Sequence, residues 1–418
     1  MRIAIVTARS WPSDLGGAEE IVRINANFLA ADGHDVTILT SYINEGSNIR
    51  NLLHEESHDG YNILRFKQFN FQQFGLIARI LFSFFANNRG PASNDLDVSS
   101  SLGNPSRAKT ILFSLFFKWG SWIFSPSLFF HILRSDYDII HLTPFPHTHV
   151  FFAARAASLA KIPTILTPAY HVERQGAMAW QLKLLSETVS KLAVFTEKER
   201  IDLEKIGVPM SKMVVVPPGL IPPLASTDIS AIRFRESKNV GHNPIVLFAG
   251  TKSFDKGIYH VVDAMVLVRK AIPDAILLVI GRGDDSINRE ISNKLQNAIN
   301  LGYLREDKWD AFAACDIFVM PSRCDSFGLV YTEAWLSGKP VIGANCGSTP
   351  FVIHDGIDGK LVPFGAVEIL ADTIIMLLND AELRNRLGEA GRQYTCDHYL
   401  APVVARKLVE VYKSIQGV

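Results

Sequence analysis

Short apolar runs, each followed by a polar loop with glycine or proline and then by a helical stretch, recur along most of this 418-residue chain. In the first half they occupy residues 2–7, 36–39, 139–142, 164–167 and 192–195. A run of about four to six apolar residues between helices is typical of a strand buried on both faces of a parallel sheet. Because parallel strands need long, right-handed crossovers, this alternation predicts an α/β chain.

The alternation stops at the prolines 217–218 and 222–223 and then restarts at residues 245–250, 275–281, 317–320 and 341–343. The chain is also too long for one ordinary domain. We therefore predict two doubly wound, Rossmann-like domains that face each other across a cleft, residues 1–225 and 226–395. Residues 396–418 are expected to form a helix that packs back toward the first domain. Ligands of such sheets bind beyond the carboxyl ends of the strands, so the cleft is the predicted site.

Charge and cysteine usage exclude several classes of protein. Lys+Arg and Asp+Glu number 42 each, which gives no reason to expect a nucleic-acid partner. The four cysteines show no metal-ligand spacing, which predicts buried thiols in a reducing compartment and no metal site. The apolar run at residues 2–7 is shorter than the apolar core of a secretory signal. A cytoplasmic protein is expected.

The densest chemical motif follows the strand predicted at residues 317–320. Pro321-Ser322 comes first, and Phe327-Gly328-Leu329 then opens a helix that carries Glu333. A glycine at such a turn lets a ligand approach the backbone, and the free N–H groups of the helix favour a diphosphate. Asp325 precedes Glu333 with seven residues between them, which is about two turns of helix and puts both carboxylates on the same side. There they can accept hydrogen bonds from hydroxyls of two sugar rings. By themselves, two acids near a helix start are more often capping or surface charges.

Two further turns follow strands upstream of this motif. Gly250–Gly257 joins a strand to a helix and contains Lys256, which is well placed to neutralise a phosphate. Gly281-Arg282-Gly283 follows the next strand, although it is not a complete dinucleotide fingerprint. A lone Lys-Gly pair before a helix is usually a solvated loop. The occurrence of all three motifs in order, each after a strand, favours a nucleotide-sugar site.

With these motifs the sequence resembles glycosyltransferase family 4, the retaining group 1 glycosyltransferases of GT-B fold. The family's Glu-x7-Glu signature appears as Asp325-x7-Glu333 within Pro321-Ser322…Phe327-Gly328-Leu329. The resemblance implies that Glu333 binds the donor ribose and that Asp325 meets the transferred sugar. It also implies that Phe327, Gly328 and Leu329 contact the sugar or phosphate through amides in this turn, and that Lys256 binds the diphosphate.

Two N-terminal elements are similar to the family as well. Gly16-Gly17 resembles the family's glycine loop, which lies beside the donor phosphates. His171 follows a predicted strand and resembles the histidine that contacts the transferred sugar or the acceptor. A single histidine is otherwise more often structural.

The sequence departs from the family pattern at several positions, and two of them belong to the predicted donor site. Thr251 stands where the family usually has arginine, so one phosphate-binding cation is missing unless Lys252 or Arg282 replaces it. Asp325 replaces the first glutamate and is one methylene shorter. These departures leave the predicted fold unchanged and bear on catalytic competence.

Residues 61–135 differ in composition from the rest of the chain. They contain 13 of the 26 phenylalanines, and eight Lys/Arg against two Asp. Basic aromatic segments suit the interface of an anionic membrane, whereas helices that merely cover one sheet face are the alternative. Lys118 and Pro126 interrupt the apolar run at residues 110–133, which favours an in-plane or core helix over a membrane span.

The sequence thus predicts a retaining transfer from a nucleotide sugar, most consistent with a UDP- or GDP-linked donor, to a hydroxyl acceptor, and no cofactor is implied. The acceptor is expected to be lipid-linked or a growing cell-surface glycan, with the protein peripheral on the inner face of the membrane. Two alternatives stay open. One is a sugar-nucleotide 2-epimerase, and the other is a degenerate nucleotide-sugar-binding subunit without activity.

Overall fold

The computed structural model of the chain describes residues 1–8, 17–42, 54–58, 60–67, 69–70, 123–222, 228–304 and 308–416. The chain forms two compact units, one of residues 1–168 and 178–192 and the other of residues 169–177 and 193–418. The domain limits expected near residues 225 and 395 stay a prediction.

The first sheet is built on the strands predicted from the apolar runs. Its described strands follow the order β10-β9-β8-β7-β1-β2-β4-β3. β1 pairs in parallel with β2 and β7 on either side of it, and β3 pairs antiparallel with β4 at the edge. These strands are β1 Arg2–Val6, β2 Asp35–Ser41, β3 Glu55–His58, β4 Tyr61–Phe66, β7 Ile139–Leu142, β8 Thr164–Leu166, β9 Lys191–Val194 and β10 Met213–Val215. The remaining pair of described strands in this half is β5 Phe69–Asn70 with β6 Ile123–Phe124.

The second sheet has the order expected of a dinucleotide-binding fold. Its described strands follow the order β13-β12-β11-β14-β15-β16, and each neighbouring pair of them is parallel. The chain leaves β11 in one direction and later returns to its other side as β14, so the switch point lies between these two strands. The strands are β11 Ile245–Ala249, β12 Ile276–Ile280, β13 Ile299–Asn300, β14 Ile317–Met320, β15 Val341–Ala344 and β16 Gly359–Val362.

Helices connect these strands, as the alternating pattern predicts. In the first part of the chain they are α1 Gly17–Ala31, α2 Pro126–Arg134, α3 Thr148–Ala160, α4 Val172–Gln175, α5 Ala179–Thr188 and α6 Glu197–Lys205. In the second part they are α7 Asp228–Ser237, α8 Ile258–Ala271, α9 Asp285–Lys294, α10 Lys308–Ala314, α11 Leu329–Leu336, α12 Val367–Asn379, α13 Ala381–His398 and α14 Ala401–Gln416. Single 3-10 turns cover Gly176–Met178, Met210–Lys212, Phe254–Lys256 and Thr349–Phe351.

Some expectations need correction at the level of single residues. Cys315 and Cys324 are buried as predicted, whereas Cys346 and Cys396 are half-buried. Of the aromatic region 61–135, residues 71–122 lie outside the described part of the chain, so its proposed membrane role is not tested there. None of the described helices is both long and apolar enough to span a bilayer.

Candidate active site

The loops that follow β11 and β14 meet at the switch point of the second sheet. The Arg323 N–H donates to the Asp255 carbonyl oxygen at 2.7 Å, and the Ser322 hydroxyl donates to the same oxygen at 3.2 Å. The Arg323 guanidinium also pairs with the Asp255 carboxylate at 2.5 Å. These bonds hold the two predicted motifs, residues 250–257 and 321–328, against each other.

An ion pair between Lys256 and Asp325 lies where these loops meet. Lys256 ends the 3-10 turn Phe254–Lys256, and its side chain and that of Asp325 are 21% and 14% exposed. The second carboxylate oxygen of Asp325, Oδ2, is buried and has no hydrogen-bond partner among the described residues. A buried acceptor of this kind is costly to leave unpaired, by about 1–3 kcal/mol, so it favours a ligand hydroxyl as donor.

Gly257 is required for this close contact. Its φ is +78°, and a Cβ added there would lie 2.4 Å from the carbonyl oxygen of Pro321. Any side chain would therefore push the loop after β14 away from the turn that carries Lys256.

Helix α11 begins beside this ion pair, at a glycine that supplies no side-chain cap. Gly328 is the N-cap residue, with φ +86°. Because glycine has no side chain, it offers no oxygen to cap the first N–H groups of the helix. The Tyr331 hydroxyl donates to the Met320 carbonyl oxygen at 2.6 Å and ties the helix to the end of β14. Such a helix start can bind an anion. Leu329 is the first residue of the helix, whereas the Phe327 ring is buried against Tyr399, with ring centroids 5.1 Å apart.

Glu333 lies one turn further along α11 and is also paired with a lysine. Lys308 Nζ is 2.6 Å from Glu333 Oε1, and the Glu333 side chain is 9% exposed. Lys308 begins α10, which comes 25 residues earlier in the chain than Glu333. Pairing with an ammonium fixes the direction of the Glu333 carboxylate.

One lysine after β11, Lys252, and one arginine after β12, Arg282, make different kinds of contact. Lys252 is buried and donates to Asn288 Oδ1 at 2.9 Å and to Asn300 Oδ1 at 2.8 Å. Burial lowers the pKa of its ammonium. The Arg282 guanidinium lies over the Tyr303 ring, 4.5 Å from its centroid. Thr251, between Gly250 and Lys252, is exposed.

His171 lies in the loop after β8. It is half-buried at the N-cap of α4, and its N–H donates to Gln175 Oε1 at 2.8 Å. Tyr170, immediately before it, is buried, and its N–H donates to Glu199 Oε1 at 2.6 Å.

Of the predicted glycine loop, Gly17 is the exposed first residue of α1 and Gly16 lies outside the described residues.

Comparison with known proteins identifies the family. The family model described as "Glycosyl transferases group 1" matches residues 230–394, and the one described as "Glycosyl transferase 4-like domain" matches residues 16–219. Phosphatidyl-myo-inositol mannosyltransferase of Mycobacterium leprae is 30% identical over 307 residues, which cover 70% of this chain and 78% of that protein. The chain belongs to the group 1 glycosyltransferases.

The resemblance to family 4 and the GT-B fold are both confirmed. Sulfoquinovosyl transferase SQD2 of Arabidopsis thaliana is 27% identical over 291 residues, covering 65% of this chain and 56% of that protein. The crystal structure of Anabaena HepE in complex with UDP and glucose aligns with a TM-score of 0.70 at 17% identity, over 99% of this chain and 100% of that one. At that identity the structural likeness concerns the fold.

Sequence reasoning missed three residues of this glycosyltransferase that contact the predicted site residues or their neighbours in the same loops. Lys308 pairs with Glu333, Arg323 pairs with Asp255, and Glu199 binds the backbone beside His171. Thr196-x-x-Glu199 was a readable signal of a helix start, because it matches the sequence pattern of a capping box. Lys308 and Arg323 carry no such local signal. Lys252, considered as a replacement for the missing arginine, is committed to Asn288 and Asn300, which leaves Arg282 as the candidate at a strand end.

Proposed function

We propose that this glycosyltransferase moves a sugar from a nucleoside diphosphate to a hydroxyl acceptor and retains the anomeric configuration. The observation that carries the proposal is the Lys256–Asp325 pair at the switch point, with Asp325 Oδ2 buried and lacking a partner among the described residues. A cation for a diphosphate and an acceptor oxygen for a sugar hydroxyl thus lie side by side. Their arrangement beside the start of α11 supports a donor that lies across both.

Charge develops on the diphosphate as the glycosidic bond breaks. Lys256 and the first N–H groups of α11 would stabilise that charge, because they are fixed in place before the reaction begins. The acceptor hydroxyl would attack from the same face, and an oxygen of the departing phosphate would take its proton. Asp325 would hold a hydroxyl of the sugar as its ring becomes an oxocarbenium-like ion.

Glu333 and Lys308 would act farther from the bond that breaks. With one oxygen held by Lys308 at 2.6 Å, Glu333 keeps its other oxygen for the ribose hydroxyls of the nucleotide. Arg282 over Tyr303 marks a second position, after β12, for contact with the nucleotide. We propose a UDP- or GDP-linked donor and no cofactor.

We further propose a lipid-linked acceptor at a membrane surface. The relative from Mycobacterium leprae is named for a phosphatidyl-myo-inositol, which is a lipid. In this chain, Phe130 on α2 is 50% exposed, and the Arg134 guanidinium lies 5.7 Å from its ring centroid. A basic residue beside an exposed aromatic ring suits an anionic membrane interface.

A donor screen followed by product analysis tests the proposal. UDP- and GDP-sugars are tested by thermal shift, and the donor that stabilises the protein is incubated with an acceptor and with a chelator. We expect a product whose anomeric configuration, determined by NMR, matches the donor, and equal turnover with and without chelator. Inversion of the configuration would contradict the retaining mechanism. An epimerised nucleotide sugar formed without acceptor would support the 2-epimerase, and binding without any donor cleavage would support the inactive subunit.

A further inference from the structure

Glu199 is a buried carboxylate that the proposed mechanism does not use. Glu199 is the third residue of α6, and only 1% of its surface is exposed. The Thr196 hydroxyl at the N-cap accepts from the Glu199 N–H at 3.2 Å, which is half of a capping box. In the usual box the glutamate returns to the N-cap N–H. Here its oxygens bind elsewhere.

The Glu199 carboxylate joins two loops at the carboxyl ends of neighbouring strands. Oε2 accepts from the Phe195 N–H at 2.7 Å, directly after β9. Oε1 accepts from the Tyr170 N–H at 2.6 Å, in the loop after β8. Both oxygens are therefore used by backbone donors, and one of those donors belongs to the residue before His171.

The loop that carries His171 needs such an anchor. Ala169 has φ +51°, in the left-handed region that costs a residue with a Cβ about 1 kcal/mol or more. After it, the Tyr170 N–H is held by Glu199 and the His171 N–H is held by Gln175. These two bonds fix the backbone at Tyr170 and His171, and Glu199 supplies the bond that involves a charged group.

We propose that Glu199 is a positioning residue, whose carboxylate fixes the backbone of residues 169–171 and thereby the placement of His171 toward the substrate. The proposal rests on the proposed function and on the role that the family resemblance implies for His171, which is contact with the transferred sugar or the acceptor. Glu199 itself is too deeply buried to touch a substrate.

The protonation of Glu199 couples this anchor to pH. The pKa of its carboxyl is raised to about 7, because burial outweighs the N–H groups of Tyr170 and Phe195, which lower the pKa, and the nearby charge of Asp202 adds a smaller increase. Asp202 is itself paired with Lys198 and Lys205 on the same helix. On the facing loop the titratable groups are Tyr170 and His171. A protonated carboxyl presents an O–H toward one of the two N–H donors, so the anchor is complete only in the ionised form.

Activity and stability respond to this group in opposite directions. The pKa is raised from an ordinary value of 4.5, so the folded chain holds the proton more tightly than the unfolded chain. The stability contributed by the bound proton is therefore present at low pH and is lost as pH rises from 4.5 toward 7. The positioned, ionised form increases over the same rise. A residue with only a structural role would not give these opposite trends.

The inference is tested by the kinetics of single variants at Glu199, Glu204 and His171, compared with the wild-type chain across the neutral pH range. We expect a step in wild-type kcat that is half complete at about pH 7. Glu199→Gln should lack this step and have a kcat about 10- to 100-fold lower at high pH, with donor KM little changed. Glu199→Asp keeps the charge and should retain a weakened step. Glu204→Gln, at an exposed glutamate of the same helix, should behave like the wild type.

Several results would overturn the inference or separate it from the proposed function. A Glu199→Gln variant with wild-type kcat and an unchanged step would overturn it. If His171→Ala keeps full activity, the role that the resemblance implies for His171 is wrong, whatever Glu199 does. If no donor is turned over, the NMR titration of the His171 ring still decides. A second inflection at about pH 7 in the wild type that vanishes in Glu199→Gln supports the anchor, and identical titrations reject it.

Discussion

Two ion pairs, Lys256 with Asp325 and Arg323 with Asp255, join the loops at the switch point. The proposed reaction requires Lys256 and Asp325 to contact the donor as well as each other. A side chain that a neighbour already holds loses less conformational entropy when a ligand binds. Prior orientation of the charges is also what makes electrostatic stabilisation of a transition state effective.

Replacement of Lys256 tests this arrangement at a single residue. Lys256→Ala is expected to reduce kcat/KM by about 2–4 kcal/mol of transition-state stabilisation, because the diphosphate loses its cation and Asp325 loses its counter-charge. The folded state should persist, since the side chain is partly exposed. Lys294→Ala removes a lysine that is paired with Asp263 on the surface and serves as the control. Equal kinetics in the two variants would remove Lys256 from the site.

The two acids are expected to fail in different kinetic constants. Asp325→Asn should lower kcat more than it raises KM, because its contact to the transferred sugar strengthens in the transition state. Glu333→Gln should mainly raise the donor KM, because a ribose contact is the same before and during bond cleavage. Steady-state kinetics with the donor identified by the screen provide the measurement.

Lys308 offers a check on the second half of this prediction. It holds Glu333, so Lys308→Ala should also raise the donor KM, by roughly 0.5–1 kcal/mol for a partly exposed pair. Combined with Glu333→Gln it should add little, because both changes remove one interaction. If Asp325→Asn and Glu333→Gln lose the same factor in the same constant, the division of roles is wrong.

Among the elements, helix α11 depends on close packing against α13. Gly391 of α13 lies against Trp335 of α11, and a Cβ added at Gly391 would lie 2.0 Å from a carbon of the indole ring. The ring cannot easily move aside, because it is buried and its Nε1–H donates to the Asp358 carbonyl oxygen at 2.7 Å. The helix that carries Glu333 is therefore placed partly by a missing side chain on its neighbour.

The change Gly391→Ala should destabilise the protein, although alanine is the better helix former. The helical preference favours alanine by roughly 0.5–1 kcal/mol, whereas overpacking of a core costs about 1–3 kcal/mol. We expect a lower midpoint of urea denaturation and a raised donor KM, since α11 must shift. Asn385→Ala at an exposed position of the same helix should leave both within error or improve stability slightly. A more stable Gly391→Ala variant would show that Trp335 moves freely.

At the scale of the whole molecule, the features assigned to donor and acceptor differ in location along the chain. The described donor motifs lie between residues 250 and 333, in the second compact unit. The aromatic region 61–135 comes earlier in the chain, and its local formal charge is +6 from eight Lys/Arg and two Asp. A transferase whose acceptor stays in a membrane has to bind the membrane surface, and a basic aromatic sequence suits that task.

Flotation with lipid vesicles tests the membrane prediction. We expect the protein to bind anionic vesicles and to be released by salt, because headgroup attraction contributes to binding. Arg107→Glu with Lys109→Glu should weaken binding while donor hydrolysis persists. These two positions lie outside the described residues, so their choice rests on the sequence alone. The control reverses the charge of two exposed lysines elsewhere in the chain, with Lys238→Glu and Lys270→Glu. Equal recovery with neutral and anionic vesicles, or none with either, would contradict the prediction.

The sequence by itself determined the class of fold and the motifs of the candidate site. Strands such as Ile245–Ala249 and Ile276–Ile280 are apolar throughout because both faces of a parallel sheet are buried, so their positions could be read directly. The motif turns follow such strands and could be placed with them. The hairpin of Glu55–His58 with Tyr61–Phe66 escaped prediction, because its outer strand is polar and half-exposed.

Only the tertiary structure decided which charges meet. Strand order places β14 beside β11, and this brings Asp325 to Lys256 across 69 residues of chain. Lys308 reaches Glu333 across 25 residues, and Glu199 reaches Tyr170 across 29. Such separations have no period that a local pattern can show, because they depend on how whole elements pack rather than on the geometry of any one element. The positions of the predicted motifs could therefore be read from the chain, while the partners of their side chains were set by how the elements pack.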